Sequence, residues 1–275
     1  MIITIIPRNV IVPIVLLGTI LILSYLVPAL RGGDEAQYVL HFERALIPPH
    51  LDFPFGTDSL GRDLLVVTFI AARASFMVGI GVVLIAAFIG VPIGMFAGYR
   101  GGILDSILMR ITDGFLAFPP LILPFTIAAV LGPSLTSITI AIAVAWFPWY
   151  VRIARARTLE IRSSGYVDSA KIMGGRWPHI LIRHILPNIF PSVLTQASVD
   201  VGYAILMAAG LSFLGLGAQP PQLEWGLLIT QARVSFLYSW WTILSPGIAL
   251  FITVVLFNYL GDSLREYYDP RLSKK

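Results

Sequence analysis

Ile161–Asn188 reads IRSSGYVDSAKIMGGRWPHILIRHILPN, a long polar interruption in the second half of a very apolar chain. Charge-free stretches of membrane length come before and after it. Because irregular polar backbone is not stable in contact with lipid, a loop of this length is expected to lie in water on one side of a membrane. We interpret it as the surface through which a partner acts on this protein. Its basic residues, with those just before it, are Arg152, Arg155, Arg157, Arg162, Lys171, Arg176 and Arg183.

The composition of the whole chain points to lipid as its main solvent. Of 275 residues, 57% are hydrophobic and only 12% are charged, about half the charged fraction of a typical soluble domain. The net charge of +4 does not indicate a nucleic-acid partner, because the basic residues cluster at the ends of apolar segments. Such clusters act as orientation signals in membrane proteins. The chain has no cysteine, which excludes disulfides and thiolate metal sites.

Six crossings are predicted from apolar segments of about 20 residues, the length that one helical crossing needs. The first segment is longer than the apolar part of a signal peptide and no cleavage pattern follows it, so we predict a retained anchor. The Pro- and Gly-rich stretch 31–73 is predicted to be an ordered outer loop. The predicted crossings are Val10–Leu30, Ala74–Tyr99, two within Gly114–Val151 separated at Gly132-Pro133, Ile185–Gly217 and Trp240–Gly261.

The distribution of lysine and arginine predicts the orientation. An even number of crossings puts both termini on one side, and most of the 19 lysines and arginines fall on that side. Because cytoplasmic loops carry an excess of these residues, we predict that both termini and the central loop are cytoplasmic. The residues counted there outside the central loop are Arg8, Arg100, Arg110, Arg265, Arg271, Lys274 and Lys275.

One face of the second predicted crossing carries Gly90, Gly94 and Gly98 at four-residue spacing. Small residues let two helices approach closely in lipid, where no hydrophobic driving force brings helices together. The pattern predicts a closely packed neighbouring helix and says nothing about cargo.

No constellation for catalysis, a cofactor or a metal is found in the sequence. A P-loop needs a lysine after a glycine, and none of the lysines, Lys171, Lys274 and Lys275, follows one. His179 and His184 are five residues apart, which is not the spacing of a helical zinc pair. We therefore predict no catalytic, cofactor-binding or metal-binding residue.

Asp200 is the one carboxylate deep inside a predicted crossing, and Gln196 lies four residues before it on the same helical face. A charge at that depth is costly and usually faces a cavity or a partner. One hypothesis is that Gln196 and Asp200 line a translocation path. The alternative is that Asp200 pairs with an arginine on a neighbouring helix and has a structural role.

Within the central loop, Tyr166–Met173 is predicted to form about two helical turns. Gly174-Gly175 is expected to end that helix, since glycine adopts the left-handed conformation at low cost. Trp177-Pro178 then restarts the chain, because proline suits a first helical turn. Ile172 and Met173 are predicted to be exposed, either docking into a cleft on another protein or resting on lipid headgroups.

The loop resembles the "EAA" loop of ABC-importer permeases, whose pattern is E-A-A-x3-G-x9-I-x-L-P. Asp168-Ser169-Ala170, Gly174 and Leu186-Pro187 stand at that spacing, with Asp168 in place of glutamate, Ser169 in place of alanine and His184 in place of isoleucine. Further segments resemble the dipeptide/oligopeptide/nickel group of these permeases: FGTDSLGRDLL at 55–65, LSFLGLGAQPPQLEWGLLI at 211–229 and NYLGDSLREYYDPRL at 258–272.

The resemblance implies an all-α, multi-pass protein of the cytoplasmic (inner) membrane, with six transmembrane helices in the type I ABC-importer permease fold. It implies a pore shared with a homologous second permease subunit, two cytoplasmic ATPase subunits and an extracytoplasmic solute-binding protein, with di- or oligopeptides as cargo. No nucleic-acid partner is implied. The residues implied to couple this chain to an ATPase are Tyr166, Asp168, Ser169, Ala170, Ile172, Met173, Gly174, Gly175, Leu186 and Pro187.

We accordingly divide the chain into three parts. Residues 1–73 form an anchor with an extracytoplasmic loop, 74–262 form the core permease domain of five crossings with the coupling loop 152–187, and 263–275 form a cytoplasmic tail. The competing hypothesis is an ATP-independent secondary transporter or channel. That hypothesis predicts cargo movement by this chain alone.

Overall fold

The structure, a computed structural model, describes residues 7–268, of which Ala36 and Gln37 are described in the backbone only. This part of the chain is helical, and its extended pairing is one isolated bridge between Thr57 and Asp63. The helices are α1 (Arg8–Leu30), α2 (Leu64–Arg100), α3 (Gly102–Leu116), α4 (Ile122–Leu131), α5 (Leu135–Ile161), α6 (Gly165–Ile172), α7 (Trp177–Ile180), α8 (Leu186–Phe213), α9 (Trp225–Ala232) and α10 (Trp241–Tyr268).

Five helical stretches within residues 7–268 are long and apolar enough to cross a membrane. They are α1, α2, α5, the run Trp177–Phe213 and α10. The prediction of a helical membrane protein is therefore confirmed. Arg271, Lys274 and Lys275 of the predicted cytoplasmic tail lie outside the described residues.

The second crossing begins at Leu64, well before the predicted start at Ala74. The Asp63 side chain caps this helix by accepting a hydrogen bond of 2.9 Å from the Leu65 backbone N–H. Arg73, which the sequence analysis placed in the outer loop, lies inside α2. Its guanidinium donates to the Ser24 carbonyl at 2.6 and 2.8 Å and forms an ion pair with Asp34 at 2.7 Å, so the charged group is paired within the structure.

The glycine ridge of α2 packs directly on α5, as predicted. A Cβ atom on Gly98 would lie 2.9 Å from the Arg155 carbonyl oxygen, and one on Gly94 would lie 2.9 Å from the Ala154 Cβ. Gly90 lies against Phe147 in the same way. Because residue numbers rise together along this contact, α2 and α5 run parallel.

Because α2 and α5 run parallel, the chain that connects them must run back along the bundle. The helices α3 and α4 together form this return. The helix α3 begins at Gly102, before Gly114, where the charge-free segment of the predicted crossing starts. Its polar residues are paired with α5: Asp105 forms a two-pronged ion pair with Arg155 at 2.6 and 2.7 Å. The return is broken near Pro119, since a proline lacks the N–H that a continuous helix needs.

The remaining long helices alternate in direction. α8 runs antiparallel to α2, because Gly79 lies against Val201 while Phe96 stacks on Trp177, before α8 begins. α10 runs antiparallel to α8, with Gly261 lying against Thr195. These contacts put the end of α10 at the same end of the bundle as α6. The count of six crossings and the cytoplasmic position of that end stay predictions.

The two connections at the opposite end of the bundle pack on each other. Arg62 and Asp58 form a buried ion pair at 2.7 Å in the first connection, and Arg62 also donates to the Gln231 side chain in the second. In the second connection, Trp225 is fully buried and donates from its indole N–H to the Thr68 carbonyl of α2 at 2.9 Å. This end of the bundle is therefore an ordered cap rather than a set of separate loops.

Candidate functional site

The short helix α6 in the central loop forms as the sequence predicts, one residue earlier at each end. It spans Gly165–Ile172 and ends where Gly174 adopts a φ of 82°, the left-handed conformation. The Gly175 backbone N–H donates to the Ala170 carbonyl at 2.9 Å, which closes the last turn. α7 then begins at Trp177 with Pro178 in its first turn.

One face of α6 belongs to the hydrophobic core of the membrane bundle. Val167 and Ala170 are buried, and Val167 shares a core cluster with Ile180 and with residues of α2 and α8. Ala170 therefore faces the bundle and is not presented to the outside. A displacement of α6 would have to move the core residues packed against it, because protein interiors are close-packed.

The opposite side and the tip of α6 are exposed. Ile172 is 87% exposed and Met173 is 81% exposed, and Tyr166 is also exposed. Asp168 and Ser169 are satisfied within the helix: Asp168 pairs with Lys171 at 2.9 Å, and the Ser169 hydroxyl donates to the Gly165 carbonyl at 2.9 Å. Two large apolar side chains at a helix tip form a small surface suited to a hydrophobic cleft on another protein.

The loop is fastened to the end of α2 by contacts on both sides of α6. Arg162, just before α6, donates to the Gly98 carbonyl at 2.9 Å. After α6, the Trp177 ring packs on Phe96 with ring centroids 5.5 Å apart. These contacts hold α6 across the end of the bundle.

Leu186 and Pro187 do not join the exposed tip of α6. They form the first turn of α8, where Leu186 is half-buried and Pro187 is exposed. A π-helical turn, Leu181–Ile185, connects them to α7. The helical run from Trp177 to Phe213 is therefore continuous and joins the central loop directly to α8.

A groove runs along the bundle between α5 and α8, because both helices pack on α2 and only loosely on each other. Two cavities occupy it. The one nearer α6 has a volume of about 710 Å³ and is lined by polar groups that include Arg157, Asn188 and Arg265. The other, of about 440 Å³, is walled by aromatic side chains and by the broken return between α3 and α4.

Gln196 and Asp200 lie at the junction of these cavities, as their predicted shared face requires. Gln196 lines both cavities, and Asp200 lines the aromatic one. The Gln196 amide donates to Asp200 Oδ1 at 2.9 Å. Asp200 Oδ2 is buried without a hydrogen-bond partner in the described part of the chain.

The sequence alone did not identify three residues of this site. Trp146 and Tyr150 of α5 lie beside the Asp200 carboxylate, and Arg157 contributes to the polar cavity. The four-residue spacing of Trp146 and Tyr150 places them on one helical face. That spacing was a usable signal, but only the packing of α5 beside α8 identifies the face.

Comparison with known proteins gives consistent matches. The family model described as "Binding-protein-dependent transport system inner membrane component" matches residues 90–274. The chain is 45% identical over 231 residues to the probable D,D-dipeptide transport system permease protein DdpC of Escherichia coli strain K12, covering 84% of this chain and 77% of that protein.

Two further matches extend the comparison. The chain is 36% identical to the dipeptide transport system permease protein DppC of Alkalihalophilus pseudofirmus, over 95% of this chain and 86% of that protein. Among solved structures, the inward-facing MetNI methionine ABC transporter superposes with a TM-score of 0.61 at 18% identity. That superposition covers 74% of this chain and 97% of the matched chain, and at this identity it supports the fold alone.

Proposed function

Because this chain belongs to the family of binding-protein-dependent transport system inner membrane components, we propose that it is the permease subunit of an ATP-driven importer of di- or oligopeptides. The family places it in the inner membrane as a multi-pass protein. The predicted fold class, an all-helical ABC-importer permease, is confirmed. Peptide cargo is supported by relatives whose names specify dipeptide transport.

The proposal includes the partners that such a permease needs. A homologous second permease subunit closes the groove between α5 and α8 and completes the pore. Two ATPase subunits bind at the end of the bundle that carries α6, and they supply the ATP hydrolysis, since the sequence shows no P-loop. A solute-binding protein docks on the ordered cap at the opposite end.

One observation carries the coupling part of the proposal: α6 has an exposed apolar tip on one side and core residues of the bundle on the other. Ile172 and Met173 are available to a cleft on the ATPase, while Val167 is fully buried in the hydrophobic core of the bundle. ATP-driven closure of the ATPases then moves α6 together with α5 and α8. For this to drive transport, the ATPases must bind the two permease conformations with different affinity.

The coupling surface is tested by replacing Ile172 with serine in the complete transporter, reconstituted in vesicles with its binding protein. We expect ATP-driven dipeptide uptake to fall about tenfold or more, since the loss of a central apolar anchor has an effect of that size. Co-purification of the ATPase with the permease should weaken in parallel. The matched control is Ile103→Ser, because Ile103 is 81% exposed at the same end of the bundle but outside α6.

Equal losses in the two variants, or none in Ile172→Ser, would contradict the coupling role of α6. Omitting ATP tests the alternative of a secondary transporter or channel. Uptake that persists in ATP-free vesicles containing this permease without ATPase subunits would favour that alternative.

A further inference from the structure

Asp200 is a buried carboxylate whose charge has no protein partner within residues 7–268. It is 4% exposed, Oδ1 accepts a hydrogen bond from the neutral Gln196 amide, and Oδ2 has no partner at full hydrogen-bond geometry within that range. The side chains beside the carboxylate are Gln196, Tyr150 and Trp146, none of which carries a positive charge. A buried carboxylate is either protonated or balanced by a cation. The described part of the chain supplies no cation here, which leaves this position open to a positively charged ligand.

The surroundings of Asp200 suit an organic cation. Trp146 and Tyr150 lie beside the carboxylate, and Trp149 and Tyr203 add aromatic walls to the adjoining cavity. Aromatic faces attract ammonium and guanidinium groups, more strongly where water is excluded. A divalent metal ion fits less well, since no three His, Asp or Glu side chains converge anywhere in the described part of the chain.

The acceptor atoms at this position match the donors of one ammonium group. A primary ammonium carries three N–H donors and no acceptor. Asp200 Oδ2 and the Tyr150 hydroxyl oxygen are both buried. The Tyr150 O–H neighbours the carboxylate, which leaves the hydroxyl oxygen available as an acceptor. The Gln196 amide oxygen can supply a third acceptor. In this structure the Gln196 amide nitrogen occupies the donor position, 2.9 Å from Asp200 Oδ1.

We propose that Asp200, Gln196, Tyr150 and Trp146 form a subsite for the ammonium group of the cargo as it passes along the groove. The inference rests on the proposed function and specifies the chemical group that the path recognises. When the subsite is empty, the Gln196 amide nitrogen covers the carboxylate. When an ammonium group arrives, the amide rotates so that its oxygen accepts from that group.

The test is a binding measurement on the complete transporter in nanodiscs, without the solute-binding protein. The probes are alanyl-alanine amide, which is a cation at neutral pH, and its N-acetyl derivative, which is neutral. We expect the cation to bind about tenfold or more tightly than the neutral probe, since a charged hydrogen bond contributes about that factor. Asp200→Asn should reduce the preference to within about twofold, because the charged hydrogen bond is lost.

Further variants keep the inference testable if Asp200→Asn fails to assemble. Asp200→Glu retains the charge and should retain the preference for the cation. Gln196→Ala removes one of the three acceptors but keeps the charge, so it should reduce the preference without abolishing it. Equal binding of the two probes to the unaltered transporter overturns the inference, as does a preference that survives in Asp200→Asn. Equal binding combined with loss of subunit assembly in Asp200→Asn assigns the carboxylate to a charge pair with the second permease subunit.

ATP-driven dipeptide uptake is measured in parallel with the binding protein present. Uptake without any preference for the cation rejects the subsite and leaves the proposed function intact. Absence of ATP-driven uptake rejects the proposed function itself.

Discussion

Glu224 is a fully buried carboxyl group at the start of α9, in the ordered cap outside the crossings. Burial raises the pKa of this carboxyl group, and the hydrogen bonds it accepts only partly oppose that effect. Those bonds include the Leu227 backbone N–H at 3.2 Å and the Ser75 hydroxyl at 3.3 Å. The residue therefore links the cap to α2 through a group whose charge state depends on pH.

We predict that this carboxyl group makes the folded protein less stable as the pH rises. Below the ordinary glutamate pKa of about 4.3, the group is protonated in the folded and the unfolded protein alike. As the pH rises from there toward the raised pKa of Glu224, only the unfolded chain ionises, and the free energy of unfolding falls by about 1.4 kcal/mol per pH unit. Thermal unfolding in mild detergent across this pH range measures the effect.

Glu224→Gln should remove this part of the pH dependence, because glutamine keeps most of the hydrogen bonds and does not ionise. Glu160→Gln is the control, since the Glu160 side chain is 65% exposed and pairs with Arg157 at the surface. An identical pH profile for Glu224→Gln and the unaltered protein would contradict the assignment.

At the scale of helices, the close contact of α2 with α5 is the main packing interaction of the bundle. Gly94 lies so close to Val151 and Ala154 of α5 that a Cβ atom has no room. Around Gly210 in α8, a Cβ atom would have open space, with nothing within 4 Å. The two glycines therefore provide a matched pair for testing the packing.

We expect Gly94→Ala to destabilise the folded permease by about 1–3 kcal/mol, the usual cost of overpacking a close contact. Gly210→Ala should leave stability unchanged or raise it slightly, because alanine favours the helix more than glycine does. The measurement is the midpoint temperature of thermal unfolding in detergent, compared for the two variants and the unaltered protein. Similar shifts in both would mean that α2 and α5 are not in close contact.

At the scale of the whole molecule, the two ends of the bundle are predicted to face opposite sides of the membrane. The native chain has no cysteine, so single-cysteine variants report position without background. Ser163, just before α6, and Val234, in the ordered cap at the opposite end, are both exposed.

With an impermeant maleimide, we expect Val234→Cys to react in right-side-out vesicles and Ser163→Cys to react only in inside-out vesicles. The physical reason is the excess of Lys and Arg at the end that carries α6. Labelling from the opposite sides would reverse the orientation and remove the basis for placing an ATPase at α6.

The sequence by itself predicted that the chain lies mainly in lipid, that it is helical, and that the central loop contains a short helix. These features depend on local properties of the sequence. The length of an apolar segment indicates whether it can cross a membrane. Gly174 ends α6 and Pro178 starts α7 because of backbone preferences that act within a few residues. The spacing of Gly90, Gly94 and Gly98 likewise indicated a close neighbour before that neighbour was known.

Only the tertiary structure decided that α5 is the helix packed on the glycine ridge of α2. It also decided which charged residues lie inside helices and which side chains surround Asp200. Arg73 and Asp105 lie inside helices because charged groups far away in the sequence, Asp34 and Arg155, pair with them. Trp146 and Tyr150 reach Asp200 only because α5 and α8 both pack on α2. Contacts between residues far apart in the chain depend on the packing of whole helices, and no local pattern in the sequence encodes them.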